Sequence, residues 1–128
     1  MIAETRSITI ARPPREVLRF VSDPRNLPRW APAFASSVER RDDRWAVTSE
    51  RGEFAIVVVT SDEVGTFDLW PAADPRRGIR TRVIGNGDGS EFVLTLLLDD
   101  DIDDPARARQ LDVVAQELSA VRELLGAG

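Results

Sequence analysis

At 128 residues the chain fits one domain spanning 1–128, and a formal net charge of −5 opposes the phosphate neutralisation that a nucleic-acid binder requires. It contains no His, Cys or Tyr, and all 17 of its cationic side chains are Arg, because no Lys occurs. This inventory excludes disulfides, His or Cys metal sites, Ser-His-Asp triads, Schiff-base lysines and P-loops, leaving Asp, Glu, Arg, Ser, Thr, Asn, Trp or bound water for any chemistry.

Ile8 and Ile10 alternate with Ser7, Thr9 and Ala11, the period of a strand with one buried face. Pro13-Pro14 ends that strand, and Pro14 suits the first position of a helix, where its missing N–H has no helical partner. Glu16 complements the positive end of the helix dipole, and Val17, Leu18, Phe20 and Val21 supply an apolar stripe. Asp23-Pro24 repeats the start signal, and Pro28 and Pro32 confine a second helix to one or two turns that end at an exposed-looking Trp30.

From Ser36 the period shifts towards two. Val38, then Trp45 and Val47, Phe54 to Val59, and Val64 to Trp70 read as successive antiparallel strands, broken by turns at Arg41-Asp-Asp43, Arg51-Gly52 and Ser61-Asp62. Pro71 to Gly78 is a polar loop. Ile79, Thr81 and Val83 then alternate with Arg80 and Arg82, and Gly85-Asn-Gly-Asp-Gly89 joins this strand to Phe92, Leu94, Leu96 and Leu98. A dinucleotide fingerprint would need a helix after those glycines; a strand comes next, so they make a hairpin.

The acidic run Asp99 to Asp104 lacks the glycine at the sixth place and the glutamate at the twelfth that a calcium loop needs, so it reads as a solvated helix start with no metal. Leu111, Val114, Leu118, Val121 and Leu125 recur at intervals of three and four, predicting an amphipathic helix from about Pro105 to Leu125. A single long helix with one apolar stripe must lie across the sheet to bury it. No run approaches the ~18 apolar residues of a membrane helix, and no signal peptide is visible at the N-terminus, which makes the cytoplasm the expected compartment.

The motifs Ala11-Arg-Pro-Pro, Phe20-Val-Ser-Asp-Pro and Leu27-Pro-Arg-Trp30 resemble the opening of the SRPBCC (START / polyketide cyclase / Bet v 1-like) superfamily. Ile84-Gly-Asn-Gly-Asp-Gly-Ser-Glu-Phe-Val-Leu-Thr-Leu96 and the terminal helix extend the resemblance over nearly the whole chain. It implies an α+β helix-grip fold: an antiparallel sheet of six or seven strands wrapped on a long C-terminal helix, with two short helices after the first strand. It implies binding or transport of a small hydrophobic ligand, a lipid or polyketide, in a cavity between sheet and helix, with no cofactor. A polyketide cyclase/aromatase-like enzyme and a protein-interaction module are the alternatives, and exposed strand faces of such folds can pair two copies into a homodimer.

By the same resemblance Trp30, with Phe34 beside it, becomes a ligand contact at the cavity mouth, core packing at the sheet edge being the other reading. Trp45, Phe54, Phe67 and Trp70 on the strands, with Leu111 and Leu118 on the last helix, complete the candidate lining, though each also suits a plain core. One register step exchanges the two faces of a strand. Asp68 and Thr66 share the face of Trp70, outward in water or, if that face is interior, with Asp68 as a buried acid. No residue is singled out as catalytic.

Overall fold

Pro14 opens the first helix as its position requires, and the local start and stop signals hold along the chain. The computed structural model describes residues 1–126. Its elements are β1 (Ile2–Ile10), α1 (Pro14–Val21), a 3₁₀ turn (Pro24–Asn26), α2 (Leu27–Trp30), β2 (Ser37–Arg41), β3 (Arg44–Ser49), β4 (Gly52–Ser61), β5 (Thr66–Pro71), β6 (Gly78–Asn86), β7 (Gly89–Leu98) and α3 (Asp104–Leu125). The strands form one antiparallel sheet in the order β1-β7-β6-β5-β4-β3-β2, gripping α3 on its concave side.

Asp23 caps the 3₁₀ turn by accepting from the Arg25 backbone N–H at 3.0 Å. The cap of α3 is Asp103, within the acidic run before Pro105, and it accepts from Ala106 N–H at 2.8 Å. The β6–β7 hairpin closes through Gly87 and Asp88, with Gly87 at φ 59, a conformation glycine adopts without a Cβ penalty. Gly78 is fixed more severely: it sits at φ 93, and a Cβ there would lie 2.1 Å from the Leu69 carbonyl oxygen.

β1 is longer than the alternation in the sequence suggests. It pairs with β7 from Ile2↔Leu98 to Ile10↔Ser90. The inward positions before Ile8 are Glu4 and Arg6, polar residues that hide the period. Glu4 tolerates this place because Arg107 of α3 and Arg6 both bond its carboxylate, which holds its pKa below the usual value.

Register assigns the faces. Ile8, Phe92, Val83, Phe67, Leu69, Ile56 and Val47 all point to the concave side. There they meet Val17, Leu18 and Val21 of α1, Leu27 and Trp30 of α2, and Val114, Leu118 and Val121 of α3 in one core. The two buried polar side chains of the sheet are satisfied: Thr81 Oγ1 donates to the Phe67 carbonyl at 2.5 Å, and Ser90 Oγ donates to the Arg12 carbonyl at 2.6 Å.

Candidate ligand-binding groove

The concave face is covered unevenly. α1 packs on β5, β6 and β7, α3 packs on β1 and α2, and α2 packs on β2. Beneath this cover Ile10, Val83, Phe67, Phe92 and Leu94 are buried. The inward side chains of β2 to β4 are different: Val38, Trp45, Phe54 and Val58 are only half-buried, flanking a fully buried floor of Val47 and Ile56. Phe34, from the loop after α2, meets Phe54 edge-on with ring centroids 5.5 Å apart. Arg40, on the outer strand, lies over the Trp45 ring at 5.6 Å. The result is an apolar groove with an aromatic wall and a cation at its rim.

α3 packs on β1 and α2. Val114, Leu118 and Val121 form its buried stripe. Val113, Glu117 and Ala120 form a half-buried flank beside that stripe, whereas Ala108, Ala115 and Arg122 on the opposite flank are exposed. Glu117 stands on the half-buried flank. Desolvation pushes its pKa up to about 7. Among the described residues its carboxyl has no hydrogen-bond or ion-pair partner.

A second cavity, about 570 Å³, opens between α1 and the β4–β5 turn. Leu18 and Val83 floor it, but Arg15, Arg19 and Asp62 wall it with exposed charge, which suits water better than an apolar ligand.

A grip of this form, with an apolar groove on its concave face and a long C-terminal helix, agrees with what the family comparison finds. The family model described as polyketide cyclase / dehydrase and lipid transport matches residues 1–125. The chain belongs to that family. No curated protein matches it. Among solved structures, the protein XoxI from Bacillus cereus is similar at 16% identity and a TM-score of 0.78, covering 98% of this chain and 96% of that one. A START superfamily protein from Mycobacterium smegmatis is 15% identical with a TM-score of 0.69, over 97% and 99% of the two chains. The Aha1 dimer from Colwellia psychrerythraea is 14% identical with a TM-score of 0.76, over 98% and 96%. At these identities the likeness is one of fold. Among the described residues no helix is long and apolar enough to cross a membrane.

In this polyketide cyclase and lipid transport family member, the residues singled out from sequence separate into three groups. Phe34, Trp45 and Phe54 come together on the groove wall. Trp30, Phe67 and Leu118 are 1%, 0% and 4% exposed and belong to the packed core, so Trp30 is not the exposed lip its position suggested. Its ring meets Phe92 edge-on at 6.3 Å, and its buried Nε1 has no partner among the described residues. Trp70 lies on the convex face, because Phe67 and Leu69 take the inward positions of β5; it carries Arg80 at 4.9 Å from its ring. Asp68 shares that outer face and accepts from Thr81 N–H at 3.2 Å. Leu111 is half-buried at the edge of the α3 stripe and lies outside the core cluster.

Glu117 was missed by pattern reading, which scores apolar positions. Its signal was available: it stands three residues after Val114 and four before Val121, so a helix carrying both inward brings Glu117 with them.

Proposed function

We propose that the chain binds a small apolar molecule, of the size and character of a lipid chain or polyketide, in the groove over β2–β4. The supporting observation is the half-exposed apolar wall of Phe34, Val38, Trp45, Phe54 and Val58 over a dry floor of Val47 and Ile56. Ligand sites are mostly apolar concavities with a few polar groups, and this one has Arg40 at its rim. The cytoplasm is proposed as its compartment on the residue inventory, and a homodimer on the precedent of the Aha1 structure.

Two measurements test the reading. Native mass spectrometry of protein purified from its own source should show a co-purifying small molecule. A hydrophobic fluorescent probe should bind with saturation, and Phe54→Ala should weaken that binding about tenfold, as loss of an aromatic contact worth about 1.4 kcal/mol would. A bare protein mass together with probe binding that Phe54→Ala leaves unchanged would sink the proposal and favour a protein-interaction role.

A cyclase-like enzyme is the second reading, and Glu117 is the observation that favours it. A carboxyl titrating near neutrality in an apolar site suits general acid–base catalysis. Turnover of a poly-β-ketone substrate that Glu117→Gln abolishes would move the assignment from carrier to enzyme.

A further inference from the structure

We propose that β1 is a dimerisation edge: two copies of the chain join by antiparallel pairing of their β1 strands about a two-fold axis at Thr5, making one continuous sheet. The proposal rests on the homodimer reading and adds the surface and register of the contact.

The strand order leaves β1 and β2 at the two edges of the sheet. β2 is blunted as the edges of monomers are: it runs only from Ser37 to Arg41, carries Glu39, Arg40 and Arg41, and has α2 packed on it. β1 is the opposite case. It runs nine residues, contains no proline, and keeps an unbroken register with β7 from Ile2 to Ile10. Among the described residues no strand pairs with its outer side. A long, regular edge of this kind is a template for another strand.

The β6–β7 hairpin fixes which backbone groups of β1 are free. Its two-residue turn makes Asn86↔Gly89 a hydrogen-bonded pair. Alternation along β7 then turns the N–H and C=O of Glu91, Val93 and Thr95 to β6, and those of Phe92, Leu94 and Leu96 to β1. Their partners Ile8, Arg6 and Glu4 are thereby engaged, whereas Ala3, Thr5 and Ser7 direct their groups away from the sheet. In agreement, the Thr5 carbonyl accepts from the Arg6 side chain, Nη1, at 2.9 Å, in the place a neighbouring strand would fill.

The side chains select the register. Pairing about Thr5 sets Ala3 opposite Ser7 of the second copy, Ile2 opposite Ile8, and Glu4 opposite Arg6, each twice over. Thr5 and both Ala3–Ser7 pairs exchange backbone hydrogen bonds, about six in all. Glu4 and Arg6 fall in non-hydrogen-bonded pairs, where facing side chains lie closest. An axis one residue either way sets Glu4 against Glu4 or Arg6 against Arg6, and an axis at Ala3 or Ser7 sets neither charge opposite its counter-charge. The Arg6 side chain is 45% exposed and free to swing from the Thr5 carbonyl to Glu4 of the second copy, while Glu4 keeps Arg107 of its own chain.

Sedimentation velocity over a concentration series into the millimolar range should show the chain passing from monomer to dimer. Thr5→Pro removes an outward N–H without touching the β1–β7 ladder, and should weaken the dimer at least about tenfold. Arg6→Glu sets carboxylates opposite each other and should weaken it by a similar factor. Glu4→Arg does the same with cations. Mixed together, these two charge variants regain opposite charges at both pairs and should form a heterodimer where neither self-associates. Glu39→Arg, on the other edge, should change nothing. Circular dichroism checks that each variant is folded, and if Thr5→Pro or Glu4→Arg is not, Arg6→Glu on the exposed side of the edge decides alone. A wild-type dimer that Arg6→Glu leaves intact overturns the β1 register and leaves a homodimer on another face. A monomer at every concentration overturns both.

Discussion

The two halves of the concave face are built from the same residue types and differ in how far they are covered. Over β5 to β7, Phe67, Val83, Phe92 and Leu94 are buried, with α1 packed on these strands and Trp30 of α2 against Phe92. Over β2 to β4, Val38, Trp45, Phe54 and Val58 alternate as cleanly but keep part of their surface in water. Strand pattern does not distinguish them; the difference is where the helices lie. An inward aromatic is fully buried where the cover is complete and keeps apolar surface in water where it is not, and that surface is what the proposed ligand would bury.

The largest effect should come from breaking the sealed half. Phe92→Ala removes a ring that is 0% exposed and packs against Trp30, and should cost about 3–5 kcal/mol in urea unfolding. Should the loss stay below about 1 kcal/mol, this half is not close-packed.

Glu117 ranks second. Its folded pKa of about 7 lies above the ordinary 4.5, so the folded chain holds the proton more tightly than the unfolded one. Stability should therefore fall as pH rises from 4.5 through about 7, and the loss is complete above that. Glu117→Gln carries no such charge. Unfolding measured against pH should show the variant near wild type at pH 4.5 and more stable at pH 8, by up to about 3 kcal/mol. A constant offset between the two curves would mean that the carboxyl is not desolvated.

Phe54→Ala tests the open half, with an expected loss of about 1–2 kcal/mol because the ring is only half-buried. Probe binding should suffer more than stability, the reverse of Phe92→Ala. Trp70→Ala is the smallest change: its ring lies outside the grip beneath Arg80, so stability should drop by about 1 kcal/mol or less, with probe affinity unaltered. A lost probe site in this variant would place the ligand on the convex face.

Much of the fold was legible because its signals are local. Pro14, Pro24 and Pro105 each open a helical segment, Asp23 and Asp103 cap the 3₁₀ turn and α3, and Gly87 turns the last hairpin. Each acts within a few residues, so neighbours in sequence suffice to read it. The site was legible only in part. Trp45 and Phe54 share the concave face because aromatics on a period-two strand must face one side or the other, and Phe34 reaches Phe54 from the loop after α2. Trp30 was placed at the lip and Trp70 in the lining because neither helix cover nor strand register is written in local pattern.

By itself, then, the sequence determined the order of elements, the apolar stripe of α3 and a chemistry without His, Cys, Tyr or Lys, all of them consequences of residue type and spacing. Only the tertiary structure decided that β5 turns Phe67 inward and Trp70 outward, that the inward side chains of β5 to β7 are covered more fully than those of β2 to β4, and that Glu117 has no counter-ion among the described residues. Burial and pairing depend on residues far apart in the chain. Glu4 meets Arg107 from the other end of the chain, and among the described residues Glu117 meets no cation, for reasons that no stretch of the sequence contains alone.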